Sequence, residues 1–167
     1  MATDPPSRPD LAADEARLAA YATDLADAVD AALPGWVLRC VTERYRAAGP
    51  APTPTIDRAA RDAGTACRDD VGARVRALLE ADPDDQRSTP LALLRTAVRY
   101  PTEVLAGAGV PAVRRDDFAV RSFPDDAYDL TPASFRDLDE SLHEPGLVWG
   151  AAKAHVHLAR RRAGGRT

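Results

Sequence analysis

Apolar residues recur three and four positions apart along most of the chain, the signature of helices that bury one face. Leu11, Leu18, Leu25 and Ala32, with Tyr21, Ala28 and Val29 between them, mark a first helix over residues 10–33. Its polar face is acidic: Asp14, Glu15, Asp24, Asp27 and Asp30 stand against Arg17 alone. Three such heptads suit a coiled coil, but two of these acidic helices side by side would repel, so parallel self-pairing here is not expected. Asp27 and Asp30 fall at the predicted C-terminal end, where the helix dipole disfavours carboxylates. They need a basic neighbour, from the second helix or from the C-terminal arginines.

Pro34 suits the first turn of a second helix through Trp36, Val37, Cys40, Val41 and Tyr45, with Gly49 as its stop. Residues 49–54, Gly-Pro-Ala-Pro-Thr-Pro, read as a stiff extended connector. Thr55 is placed to cap a long third helix through Ile56, Ala60, Ala63, Cys67, Val71, Val75 and Leu78. Gly64 and Gly72, eight apart on one face, predict close approach of a neighbouring helix. Residues 59–66 share the Ala…Ala-Gly core of bacterial helix-turn-helix motifs. However, Asp70 stands where that pattern needs a branched apolar residue, and Asp69 and Asp70 would face phosphates. One long helix is expected.

Thr89-Pro90 opens a fourth helix with Leu91, Leu94 and Val98; Pro101 interrupts it, Thr102 to Leu105 resume it, and Gly107 and Gly109 end it. A short helix follows at 116–121, then a stretch without periodicity from Phe123 to Leu130, then a short helix opened by Thr131-Pro132 toward Leu138. Pro145 begins the last helix, whose predicted apolar face is Leu147, Val148, Ala151, Ala154 and Leu158. The fold expected is an all-α, compact, bundle-like domain of about five main helices plus short ones. An irregular acidic-aromatic segment precedes the last helix. Residues 10–162 form the domain, between a flexible N-terminus at 1–9 and a frayed end at 163–167.

Composition adjusts this picture in two ways. There are 34 alanines, no asparagine, and single copies of Lys153, Ile56, Gln86 and Met1, as the codons of a GC-rich bacterial genome would produce. The Ala, Arg and Asp excess is therefore discounted as a functional signal. Scarce β-branched and aromatic residues favour helices over sheet. No apolar run approaches the roughly 18 residues needed to span a bilayer. Met1 to Asp10 lacks an apolar h-region, so no signal peptide is expected and the cytoplasm is the expected compartment. Cys40 and Cys67 form no CxxC and fall on apolar faces, as small buried thiols do.

The net charge of −4 is unevenly spread: residues 1–33 carry −5, 101–146 carry −6, and 147–167 carry +5. Acidic and basic helices packed together would explain this; a general nucleic-acid binder would not be acidic overall. Arg160, Arg161 and Arg162 are candidate anion contacts, although a helix C-terminus favours arginines in any case.

Candidate chemistry gathers between Arg114 and Trp149, where nine acids crowd around all three phenylalanines. Asp125, Asp126, Tyr128, Asp129, His143 and Glu144 are the candidate partner-binding residues. Turn capping with internal pairing, a partner surface, and a divalent-cation site are the three readings of these acids. The spacing is not that of an EF-hand. His155 and His157, two apart on a helix, diverge by about 200° and cannot share a metal. No HExxH, GxSxG, Cys-His cluster or Gly-rich phosphate loop occurs. Ser134 and His143 make a triad with an aspartate only on paper. No catalytic residue, metal ligand or cofactor is assigned.

Residues 89–94 (TPLALL), 99–105 (RYPTEVL), 123–132 (FPDDAYDLTP), 143–146 (HEPG) and 149–154 (WGAAKA) resemble a family of uncharacterised proteins from high-GC Gram-positive bacteria, across roughly residues 85–160. That resemblance implies no catalytic activity and assigns no residue a role. The function expected is a non-catalytic cytoplasmic adaptor or regulator that binds another protein, with no membrane association, through residues 114–146. Two alternatives stay open: a nucleic-acid-associated protein using the C-terminal arginines, and an enzyme or metal-binding protein with a site around Asp125–Glu144.

Overall fold

The computed structural model describes residues 10–49, 51–85, 89–110 and 130–164. The expectations for 1–9, for the helix at 116–121 and for the stretch from Phe123 to Asp129 lie outside them. Among the described residues the chain is all-α. Helix α1 runs from Leu11 to Ala47, α2 from Pro54 to Cys67, and a π-helical turn from Arg68 to Gly72 leads directly into α3, Ala73–Leu79. Next come α4 (Pro90–Arg95), a 3-10 turn (Thr96–Val98) and α5 (Arg99–Gly107). The short α6 (Phe135–Leu138), a 3-10 turn (Glu140–Leu142) and α7 (His143–Gly164) complete the chain. Helix α1 is the hub: α2, α3, α5, α6 and α7 all pack against it.

The two helices expected on either side of Pro34 are one. Proline inside a helix removes a hydrogen bond and costs about 3 kcal/mol. Here the buried face carries straight through it, as Leu18, Ala22, Leu25, Val29, Leu33, Val37 and Val41, all nine-tenths buried or more. Packing along that whole face holds the helix together where local propensity would break it. Because α1 does not end at Leu33, Asp27 and Asp30 escape the unfavourable end of a dipole. They do receive a basic neighbour, but from neither expected source: Arg76 of α3 reaches both at 2.6 Å.

No helix-turn-helix forms at 59–66, and the chain is helical without a break from Pro54 to Leu79. It starts one residue before Thr55, because Thr53 caps it and Pro54 takes the first position. The π turn was not anticipated. Cys67, Val71, Val75 and Leu79 are four apart in succession, and in an α-helix each such step overshoots a full turn by about 40°. One wider turn, Arg68–Gly72, falls within this run, and all four stay buried. The two glycines do allow close approach. A Cβ on Gly64 would lie 2.9 Å from the Pro34 Cα, and one on Gly72 would run into the Asp30 carboxylate.

Pro101 does not interrupt the fourth helix either. The change of pitch comes earlier, at Thr96–Val98, which leaves Pro101 in the first turn of α5, where no hydrogen bond is lost. Ser134 rather than Thr131 opens α6, and α7 begins at His143, two residues before Pro145, and continues to Gly164.

The face of α7 needs the largest correction. Trp149 and Val156 are the side chains it buries, with Ala152 packed between them. Leu147, Val148, Ala151, Ala154 and Leu158, the predicted face, are all exposed. Apolar residues occupy both sides of this helix, and the side bearing the tryptophan is the one that docks.

Candidate functional site

The basic docking side of α7 meets the acidic N-terminal half of α1. Arg160 donates to Glu15 at 2.8 Å, to Asp82 at 2.9 Å and to Asp84 at 3.2 Å. His157 Nδ1 lies 2.5 Å from Asp84, and His155 Nε2 lies 2.9 Å from Asp14. The two histidines point at different elements, as their spacing requires. Arg160, one of the three candidate anion contacts, is thus surrounded by the protein's own carboxylates, which hold its guanidinium even more firmly protonated, Glu15 foremost. Arg161 and Arg162 stay on the exposed side.

These pairs carry a pH signature. The Asp14 carboxyl is held below its ordinary value of 3.8 by the hydrogen bond from Arg17 and then by that from His155. Asp84 is lowered in the same way, first by His157 and then by Arg160. A depressed folded-state pKa gives stability that is present above the unfolded value and is lost as pH falls through the folded one. Helicity followed by circular dichroism is therefore expected to fall as pH drops below about 3.8. An Asp14→Asn/Asp84→Asn variant is expected to start less stable at neutral pH and to lose less on acidification. Identical acid profiles would show that these contacts do not hold α7 in place.

The acids of the segment before α7 divide as follows. Asp137 accepts from the Ala133 and Ser134 amides at 2.7 and 2.9 Å, closing the start of α6. Asp139 accepts from the Ser141 amide at 2.9 Å and its hydroxyl at 2.6 Å. Glu140 pairs with Arg136 at 2.7 Å. Capping and local pairing thus account for these three. His143 and Glu144 sit exposed in the first turn of α7. Asp125, Asp126, Tyr128 and Asp129 lie outside the described residues.

Among the described residues no group of three or more His, Cys, Asp or Glu side chains is placed to hold a metal ion. No described helix is long and apolar enough to cross a membrane. Burial pushes the Cys67 and Cys40 thiols up to about 12, away from the thiolate form. Around the π turn, Asp70 accepts from Arg99 at 2.8 Å and from the Tyr100 hydroxyl at 2.9 Å. Asp69 pairs with Arg68 at 2.8 Å, so the carboxylates of this turn are engaged within the fold.

One surface is not accounted for in this way. The large apolar side chains exposed among the described residues are Tyr21, Leu147, Val148 and Leu158, on α1 and α7 alone. Tyr21 and Val148 line one shallow groove together with Ala151 and His155. Pro83, Pro90, Gly150, Ala154 and His157 border another on the far side of the helix. The signal for this surface was present in the sequence, in the very residues assigned to the core. No protein-family model, no curated protein and no solved structure matches the chain.

Proposed function

We propose that the chain is a non-catalytic helical interaction module that binds another protein through the outer face of α7. The observation that carries this reading is the exposure of Leu147 at 62% and Leu158 at 52%, on a helix already anchored by its opposite side. A lone surface leucine means little, but several large apolar groups along one helix mark a contact surface. The acidic-aromatic segment at 114–146, with Asp125, Asp126, Tyr128 and Asp129 as its contacts, is the second candidate, from its sequence alone.

The test is affinity capture from cells that express the protein, comparing wild type with Leu147→Asp/Leu158→Asp and with Asp125→Ala/Asp126→Ala. A stoichiometric protein lost only with the leucine variant, and recovered in the reciprocal capture, supports binding through α7. Loss only with the aspartate variant moves the contact to the segment at 114–146. No stoichiometric partner with wild type, neither a different protein nor a differently tagged copy of this chain, overturns the reading.

A further inference from the structure

Six residues of α7 form a single exposed stripe: Glu144, Leu147, Ala151, Ala154, Leu158 and Arg161. Their spacings are 3, 4, 3, 4 and 3, the alternation of a heptad seam. At about 100° per residue the stripe centres close to 180° from the side carrying Trp149 and Val156. It is therefore a second, separate seam on a helix whose first seam is already filled.

The stripe is also antisymmetric about its middle. Glu144 and Arg161, Leu147 and Leu158, and Ala151 and Ala154 lie at equal distances from the point between Ala152 and Lys153. Laid antiparallel on a copy of itself, it sets Glu144 against Arg161 at both ends, leucine against leucine inside them, and alanine against alanine at the centre. Laid parallel, it would set glutamate against glutamate and arginine against arginine. Two-stranded antiparallel packing brings the two alternating seam positions together across the interface, which this pairing satisfies at every layer. The small central residues let the axes approach to the short end of the usual 8–10 Å. Neither Glu144 nor Arg161 makes an ion pair among the described residues, so both charges are available.

Resting on the interaction-module reading above, we propose that the partner is a second copy of this chain, paired antiparallel along α7 about a twofold axis that passes between the central alanines. The interface is isologous, so each Glu144–Arg161 contact occurs twice. The second helix approaches the side of α7 that faces away from α1, and Tyr21 and Val148 flank the seam. A single narrow helix seam makes a small interface of the kind that associates weakly, so the dimer is expected to dissociate on dilution.

The test is sedimentation velocity over a hundredfold concentration range, with circular dichroism and thermal unfolding to confirm that each variant folds. Wild type is expected to pass from monomer to dimer. Glu144→Arg and Arg161→Glu each place like charges at both ends and are expected to weaken association at least tenfold. The double variant exchanges the two charges across the axis and is expected to restore it. Leu147→Asp/Leu158→Asp is expected to stay monomeric. Wild type that is monomeric throughout, a dimer indifferent to the leucine variant, or a double variant that fails to recover would each overturn the self-pairing. If self-pairing fails while affinity capture still yields a partner lost with Leu147→Asp/Leu158→Asp, the interaction-module reading stands. If that capture fails as well, both fall.

Discussion

Gly64→Leu is expected to lower stability by about 3 kcal/mol and the melting temperature by roughly 6–12 °C. At the crossing of α1 and α2 even a methyl group on Gly64 would lie 2.9 Å from the Pro34 Cα and 3.0 Å from its carbonyl oxygen. Those are backbone atoms of the central helix, which cannot rotate aside as a side chain can. Relief must come from moving α2 bodily away from α1, which opens the packing around Ala60 and Cys67. Gly35 provides the control. It sits in the same helix as Pro34, but a Cβ there meets nothing within 4 Å. Gly35→Ala should therefore stabilise by about 0.5–1 kcal/mol through chain entropy alone. Urea unfolding of both variants measures the contrast. A Gly64→Leu variant as stable as wild type would mean that α1 and α2 do not meet as described.

This crossing also shows how far the sequence could be read. The eight-residue spacing of Gly64 and Gly72 favoured close approach over a weakened rod; the close neighbour is the Pro34 backbone at Gly64 and the Asp30 carboxylate at Gly72. Pro34 misled in the opposite direction. Proline is both a helix starter and a helix breaker, and its local rules place a boundary there. The apolar spacing of three and four from Leu18 to Val41 passes through it without a gap, and that longer-range signal is the one the structure follows. The π turn left no such trace: its four-residue steps from Cys67 to Leu79 are matched by Leu25 to Val41 in α1, which is α-helical throughout.

The candidate contacts were harder to read for a different reason. Hydrophobic pattern shows that a residue is on an apolar stripe, not whether anything covers the stripe. Helix α7 carries two stripes, and the one with leucines was assigned to the core over the one with Trp149, Ala152 and Val156. Charge gave the better guide. The uneven charge pointed only to acidic and basic helices packing together, without saying which, and Arg160 on Glu15 and His155 on Asp14 are contacts of that kind.

Leucine truncations along the chain separate the two kinds of stripe most sharply. Leu25 lies mid-way along the buried face of α1, fully enclosed, with Ala22, Ala26 and Val29 beside it in the core. Leu25→Ala removes buried methyl groups and leaves a cavity that the rigid helices around it cannot collapse to fill. The expected cost is about 3 kcal/mol, within the 2–5 kcal/mol range of such changes. Leu158 is 52% exposed, so Leu158→Ala in the monomer loses little burial and is expected to cost under about 0.5 kcal/mol. Both sit at heptad positions of amphipathic helices, and nothing in their local sequence distinguishes them. Urea titrations at a concentration low enough to keep the protein monomeric should show a large drop in midpoint for Leu25→Ala and almost none for Leu158→Ala, with equal slopes. Raising the protein concentration should then separate wild type from Leu158→Ala, because only the former gains stability by association. If Leu158→Ala instead costs as much as Leu25→Ala in the monomer, the outer face of α7 is packed by the chain itself, and it is not free to bind a partner.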